Sequence, residues 1–71
     1  MNIPLGENIR RLRLENHLTQ RALAYHLRVS EQAVSKWETG LSYPDVALLL
    51  NIADFFAVSL DDLFGREERD G

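Results

Sequence analysis

The sequence predicts an all-α protein, a compact bundle of five helices within a single domain of 71 residues. Three observations favour this class. No segment shows the alternation of apolar and polar residues that a half-buried strand requires. Five segments instead carry apolar residues at helical spacing, and capping residues mark their ends. Both prolines stand where a helix begins or a loop turns, so neither interrupts a helix.

The first two helices are predicted from their apolar faces. The first runs from about residue 5 to residue 16, and Arg13 lies at the edge of its inner face. That face consists of Leu5, Ile9, Leu12 and Asn16. The second helix begins after Thr19, which is a good N-cap. The residues that it turns inward are Leu23, Ala24 and Leu27.

The third helix follows the second after a short connection. It begins after Ser30, another N-cap, and ends at Gly40. The connection itself is "LRVS", residues 27–30. Two short helices joined by a turn of three or four residues form a helix-turn-helix unit. Ala24 is small where the two helices cross, and Val29 can fill the space between them.

The last two helices are also marked by caps. The fourth begins after Asp45 and the fifth, which is short, after Ser59. Asp62 completes a capping box with Ser59, and Gly65 ends the fifth helix. The core face of the fourth helix is predicted to consist of Val46, Leu49, Leu50, Ala53 and Phe56.

A second apolar stripe runs along the outer side of the fourth helix, formed by Leu48, Ile52 and Phe55. A helix that is apolar on all sides is covered by other protein. Because so short a chain has little left to cover it, the stripe predicts a surface for a second copy, and therefore a homodimer. The alternative is that Ile52 belongs to the core and that only Leu48 and Phe55 are exposed.

Composition indicates a soluble, cytoplasmic protein. The chain has no cysteine, so it contains neither a disulfide framework nor a thiolate metal site. Its longest apolar run, residues 46–50, is too short to cross a membrane, and residues 1–10 lack the apolar segment of a signal peptide. We expect one domain over residues 1–65 and a charged, disordered tail, "REERDG", over residues 66–71.

The net charge of −3 is distributed unevenly along the chain. Residues 1–36 hold six basic and three acidic side chains, whereas residues 37–71 hold two basic and eight acidic ones. The first half therefore has a charge of +3 and the second a charge of −6. Such asymmetry predicts that one end of the molecule faces a polyanion. The alternative is a chance imbalance in a short chain.

The third helix has two chemically different faces. At 100° per residue, Val34 and Trp37 point to one side, and Gln32, Ser35 and Lys36 point to the other. Glutamine can form paired hydrogen bonds with adenine, and lysine can donate to guanine or to phosphate. This polar face suits the major groove of DNA, and the alternative is an ordinary solvated surface.

The sequence also resembles a known family through "LGENIRRLR", "LTQRALA", "VSEQAVSKWETG", "YPD" and "VSLDDLFG". These segments are similar to the Cro/C1-type (XRE-family) helix-turn-helix domain of phage repressors and bacterial regulators, over residues 5–64. The resemblance implies the lambda repressor-like bundle of five helices, with the third in the major groove. It implies base contacts by Glu31, Gln32, Ala33 and Lys36. It implies phosphate contacts by Thr19, Gln20, Ser35, Thr39, Ser42 and Tyr43.

The resemblance also bears on several individual residues. It pairs Arg13 with Glu38, which ties the first helix to the end of the third. Arg28 stands in the turn where the family usually has glycine, and Ala57 replaces a frequent glycine after the fourth helix. We hypothesise that Arg28 reaches a phosphate; the alternative is a tolerated surface residue. For Tyr43, packing against the neighbouring proline is an alternative to a phosphate contact.

Taken together, these patterns predict a sequence-specific regulator that binds double-stranded DNA and represses transcription by occupying an operator. A module that keeps the fold for protein interaction alone is the alternative, and the overall acidity favours it. An enzyme is least expected, since the sequence offers no nucleophile–base pair, no metal cluster and no glycine-rich phosphate loop. We expect no cofactor, no small-molecule ligand and no membrane contact for this domain.

Overall fold

The computed structural model describes residues 4–65, which form five helices joined by short loops. The helices are α1 (Leu5–Glu15), α2 (Gln20–Leu27), α3 (Glu31–Thr39), α4 (Val46–Phe56) and α5 (Leu60–Phe64). No strand occurs in this part of the chain, so the predicted all-α fold is confirmed. The predicted tail over residues 66–71 lies outside the described residues.

Four helices begin at the capping residue that the sequence predicts. In each, a side-chain oxygen accepts the backbone N–H three residues on, at 2.9–3.1 Å. The four caps are Thr19, Ser30, Asp45 and Ser59. In α5 the carboxylate of Asp62 also accepts the backbone N–H of Ser59 at 3.4 Å, which closes the capping box. Each cap satisfies an N–H that has no partner within its own helix, so it stabilises that helix by about 1 kcal/mol.

Four of the five helices, α2 to α5, end in a residue with the left-handed backbone conformation. Gly40 and Gly65 end α3 and α5 with φ angles of 82° and 78°. Arg28 and Ala57 end α2 and α4 with φ angles of 61° and 58°, although neither is glycine. A side chain in this conformation costs roughly 1–2 kcal/mol, so both positions carry local strain that the rest of the fold offsets.

One apolar cluster occupies the inside of the bundle, and α3 packs against both α1 and α2 around it. Its members are Leu5, Ile9, Leu12, Leu23, Ala24, Leu27, Val34, Trp37, Ile52, Ala53 and Leu63. The inward residues predicted for α2 all belong to it. Asn16, predicted on the inner face of the first helix, is instead exposed at the helix end, where its amide donates to the carbonyl of Leu12 at 2.7 Å.

α1 crosses the end of α3 at Gly6, which is buried. A Cβ atom at this position would overlap the carbonyl oxygen of Trp37 and would touch that of Glu38. The backbones of the two helices therefore approach more closely than a side chain would permit. This contact fixes the position of the carboxyl end of α3 relative to α1.

α4 is rotated relative to the prediction. Ile52, predicted on the outer stripe, has 0% of its surface exposed and lies in the core. Val46 and Leu50, predicted in the core, are 72% and 49% exposed. The face that packs inward is centred on Leu49, Ile52, Ala53 and Phe56. Because this helix is apolar almost all round, its own sequence does not fix its rotation; the neighbouring helices do.

Candidate nucleic-acid interface

α3 divides its residues between the core and the surface as predicted. Val34 and Trp37 are buried in the core cluster and hold the helix onto the domain. The side chains of Glu31, Gln32 and Lys36 are exposed. The smaller predicted contact residues, Ala33 and Ser35, are half-buried. The helix therefore presents a polar surface that rests on a fixed apolar support.

The turn before α3 is held by backbone hydrogen bonds. The N–H of Val29 donates to the carbonyl of Ala24 at 3.0 Å, and that of Arg28 donates to the carbonyl of Tyr25 at 3.3 Å. Val29 packs against the core cluster, and Ala24 is buried where α2 approaches α3. The left-handed Arg28 leaves its guanidinium side chain exposed beside the amino end of α3. The turn between α2 and α3 is therefore held both by backbone hydrogen bonds and by packing on the core.

The residues predicted to contact phosphates differ in accessibility. Thr19, Arg28, Thr39 and Tyr43 are exposed, whereas Gln20, Ser35 and Ser42 are half-buried. The hydroxyl of Thr39 points back at its own helix, with the carbonyls of Ser35 and Lys36 at 3.2 and 3.3 Å. A phosphate contact by this hydroxyl as donor would therefore require it to turn away from the helix.

The ion pair between Arg13 and Glu38 is present and is almost completely enclosed. Nε and Nη2 of Arg13 donate to the two carboxylate oxygens of Glu38 at 2.7 and 3.0 Å. Only 9% and 3% of the two side chains remain exposed. Nη1 of Arg13 donates to the carbonyl of Leu18 at 2.9 Å. These hydrogen bonds to Glu38 raise the pKa of Arg13, so the guanidinium stays charged despite its burial.

A third side chain joins this pair, and the sequence did not reveal it. Nε2 of Gln20 donates to Oε1 of Glu38 at 3.0 Å. Gln20 is the first residue of α2 and Glu38 is close to the end of α3, so the contact joins residues 18 positions apart. Within residues 4–65 no buried side-chain nitrogen or oxygen lacks a hydrogen-bond partner. No local spacing rule predicts a contact between positions so far apart.

The surface predicted for a second copy is altered by the rotation of α4. Ile52 is removed from it, Leu48 is half-buried against the core, and Phe55 is 39% exposed. The ring of Phe55 lies 5.1 Å from that of His26, which in turn lies 5.6 Å from that of Tyr25. Phe55, His26 and Tyr25 therefore form an aromatic patch shared by α2 and α4, which we call the α2–α4 patch.

The described part of the chain has neither a metal site nor a membrane-spanning helix. Residues 4–65 contain no group of three or more His, Asp or Glu side chains close enough to hold a metal ion. None of the five helices is long and apolar enough to cross a membrane.

Comparison with known families gives a match over most of the chain. The sequence profile of the helix-turn-helix family (HTH_3) matches residues 9–63. Over 63 residues the chain is 45% identical to the HTH-type transcriptional activator BcrR of Enterococcus faecalis, covering 89% of this chain and 31% of that protein. Over 65 residues it is 34% identical to the HTH-type transcriptional regulator YqaE of Bacillus subtilis (strain 168), covering 92% and 56%. The chain thus spans about a third and just over half of these two relatives.

Solved structures agree with this match. The P22 c2 repressor bound to a synthetic operator superposes with a TM-score of 0.82 at 32% identity, over 89% of this chain and 96% of that one. A transcriptional regulator from Listeria innocua superposes with a TM-score of 0.83 at 30% identity, over 94% of this chain and 63% of that one. The proteins named here are regulators of transcription, in agreement with the prediction that the chain is not an enzyme.

Proposed function

The chain belongs to the Cro/C1-type (XRE) helix-turn-helix family of DNA-binding transcriptional regulators, and we propose from this that it recognises a specific operator in double-stranded DNA. The observation that carries the proposal is the division of α3. Its buried Val34 and Trp37 anchor the helix, while the exposed Gln32 and Lys36 are free to enter the major groove. The relative seen with operator DNA, the P22 c2 repressor, has the same fold.

Four residues of α3 are proposed to read bases. Gln32 can form paired hydrogen bonds with N6 and N7 of adenine, and Lys36 can donate to O6 and N7 of guanine. Glu31 can accept from N4 of cytosine, and the half-buried Ala33 can bring its methyl group against that of thymine. Each well-formed pair of hydrogen bonds is worth about 1–3 kcal/mol of discrimination against the wrong base.

Phosphate contacts are proposed to set the position of α3 on the duplex. They carry no sequence information themselves, but they fix the register at which the bases are read. The exposed Arg28 supplies a positive charge beside the amino end of α3. The other proposed contacts are Thr19, Gln20, Ser35, Thr39, Ser42 and Tyr43.

We further propose that two copies bind a two-fold symmetric operator and that occupancy represses transcription in the cytoplasm. Symmetric dimers place two reading helices about one turn of DNA apart, which compensates for the weak binding of a single small domain. The α2–α4 patch supports a surface for this dimer, because its aromatic side chains are exposed. The relatives include an activator as well as a repressor, so repression has to be tested separately from operator binding.

Selection of bound duplexes from a random DNA pool tests this function. We expect enrichment of a two-fold symmetric site by the wild-type protein and loss or change of that site in Gln32→Ala. Asn51→Ala is the matched control, since it removes an exposed amide from α4 instead of α3. Failure of the wild type to enrich any sequence at low salt would contradict operator recognition and would favour a protein-interaction module. A reporter with the selected site at its promoter then distinguishes repression from activation.

A further inference from the structure

The side chain of Gln20 connects the buried ion pair with the proposed DNA surface. Its Nε2 lies 3.0 Å from Oε1 of Glu38, whose side chain is only 3% exposed. Gln20 itself is half-buried at the start of α2, where phosphate contacts are proposed. The amide of Gln20 is therefore hydrogen-bonded to a buried carboxylate, while the residue as a whole remains accessible to solvent.

The chemistry of Glu38 fixes the direction in which the amide of Gln20 points. An ionised carboxylate only accepts hydrogen bonds, so the NH₂ end of the amide must face it and the carbonyl end must face elsewhere. Glu38 cannot rotate to offer another arrangement, because two nitrogens of Arg13 hold its two oxygens at 2.7 and 3.0 Å. Arg13 is fixed in turn by the carbonyl of Leu18 at 2.9 Å.

This arrangement leaves one amide hydrogen of Gln20 for a ligand that accepts hydrogen bonds. The NH₂ group carries two hydrogens, Glu38 takes one, and the described residues offer the other no further side-chain partner. Phosphate oxygens accept hydrogen bonds and repel carbonyl oxygens. An unrestrained glutamine would present its carbonyl end to the phosphate as readily as its amide end. Fixing the orientation of the amide removes the loss of affinity that the wrong orientation would cause.

We propose that Glu38 is a positioning residue for DNA binding, acting through Gln20 to hold its free N–H ready for a backbone phosphate. The inference rests on the proposed function and adds a role for a residue that does not itself touch DNA. The same carboxylate thus joins α1 to α3 and aligns a phosphate contact on α2. The contact strengthens binding to all sequences alike, because phosphates carry no base identity.

Binding measurements on Gln20→Leu provide the first test. Leucine keeps most of the size but donates no hydrogen bond, and Arg13 still holds Glu38, so the variant is expected to fold. Affinity should fall about tenfold or more for operator and for unrelated duplex equally, since a hydrogen bond to a charged group is worth roughly 1.5–3 kcal/mol. Gln32→Ala is the matched control, and its loss should be confined to the operator. Unchanged affinity in Gln20→Leu would overturn the inference.

The role of Glu38 is tested by the amide resonances of wild-type protein labelled with 15N-glutamine, because Gln20 and Gln32 are its only glutamines. In the free protein the Nε2 protons of Gln20 should exchange with solvent more slowly than those of Gln32. On addition of operator, one Gln20 proton should shift while the other keeps its bond to Glu38. Fast solvent exchange of both protons in the complex, or no shift of either, would overturn the inference.

Glu38→Gln completes the design at a temperature where circular dichroism shows it folded. It should lose affinity, though less than Gln20→Leu, because the freed amide still turns its N–H toward the phosphate part of the time. The double variant should lose no more than Gln20→Leu alone; additive losses would contradict action through Gln20. If Glu38→Gln does not fold, the inference is judged from the amide resonances of the wild-type protein and from the DNA affinity of Gln20→Leu. Absence of binding by the wild type to any duplex would overturn the proposed function together with this inference, whereas a bound operator with an unmoved Gln20 amide would overturn this inference alone.

Discussion

At the scale of single residues, Arg28 in the turn before α3 combines a strained backbone with a proposed contact to DNA. Arg28, Ala57 and His17 all have positive φ angles near 60°, a conformation in which glycine is the unstrained choice. Ala57 and Arg28 occupy equivalent positions at the ends of α4 and α2. They differ in that only Arg28 carries a charge close to the proposed reading helix. A comparison of the two can therefore separate backbone strain from a contribution to binding.

We expect Arg28→Gly and Ala57→Gly to stabilise the fold to a similar extent. Relief of about 1–2 kcal/mol of strain exceeds the roughly 0.5–1 kcal/mol that glycine adds to the entropy of the unfolded chain. Both variants should therefore melt a few degrees higher in thermal denaturation followed by circular dichroism. Only Arg28→Gly should also bind DNA more weakly and with a shallower dependence on salt. Equal DNA binding by the two variants would mean that Arg28 is a tolerated surface residue.

The ion pair of Arg13 and Glu38 is the other feature that belongs to this scale. Removing one partner of a buried pair leaves an uncompensated charge and costs about 3–5 kcal/mol, although the intact pair adds little net stability. Because the pKa of Arg13 is raised in the folded state, its contribution persists throughout neutral pH and is lost only in strongly alkaline solution. The pair therefore specifies one arrangement of α1 and α3 at every physiological pH.

At the scale of helices, α1 approaches the end of α3 at Gly6 more closely than a side chain would permit. Alanine normally stabilises a helix by up to about 1 kcal/mol relative to glycine. Here the added methyl group would meet the carbonyl oxygen of Trp37, which is backbone and cannot turn aside. The packing penalty and the helix preference therefore act in opposite directions, and the penalty should be the larger.

We predict that Gly6→Ala lowers the free energy of unfolding by about 1–2 kcal/mol, because overpacking costs more than the helix preference returns. Arg10→Ala in the same helix is the control, since Arg10 is exposed and its replacement should change stability by no more than about 0.5 kcal/mol. Urea denaturation measures both. A Gly6→Ala variant as stable as the wild type would show that α1 can shift away from α3 without loss of stability.

The helices also show which features of the fold can be predicted from local sequence patterns and which cannot. The four N-caps and the inward side of α3 were predictable, because caps and helical spacing act within a few residues. The rotation of α4 was not, since apolar residues surround that helix and only packing against α2 and α5 selects its buried face. The hydrogen bond from Gln20 to Glu38 depends on how α2 and α3 cross, which no local pattern encodes.

At the scale of the whole molecule, basic and acidic side chains are separated between the helices. The basic side chains of the described chain lie on α1, α2, α3 and the turn between α2 and α3, whereas α4 and α5 carry only acidic charges. Such a distribution orients the domain, because a polyanion attracts one end and repels the other over about 8 Å at physiological salt. A net negative protein can therefore still bind DNA, provided that it approaches from the basic end.

The dimer proposed above yields a prediction at this scale. Phe55→Glu places a charge in the α2–α4 patch and should give a folded monomer in sedimentation equilibrium, with operator affinity reduced about 100-fold through loss of bivalent binding. Leu50→Glu is the matched control, because Leu50 lies on the opposite edge of α4 and is 49% exposed, against 39% for Phe55. Dimers that survive Phe55→Glu but dissociate in Leu50→Glu would place the interface on the other edge.

The division of α3 into a buried and an exposed side has a consequence for evolution. Val34 and Trp37 hold the helix in place, while Gln32 and Lys36 lie outside the core cluster. If α3 reads the operator as proposed, substitutions at these exposed positions alter the preferred site without unfolding the protein. Duplicated genes that encode such a domain can diverge toward separate targets by a few changes on one helix side, while the scaffold stays the same.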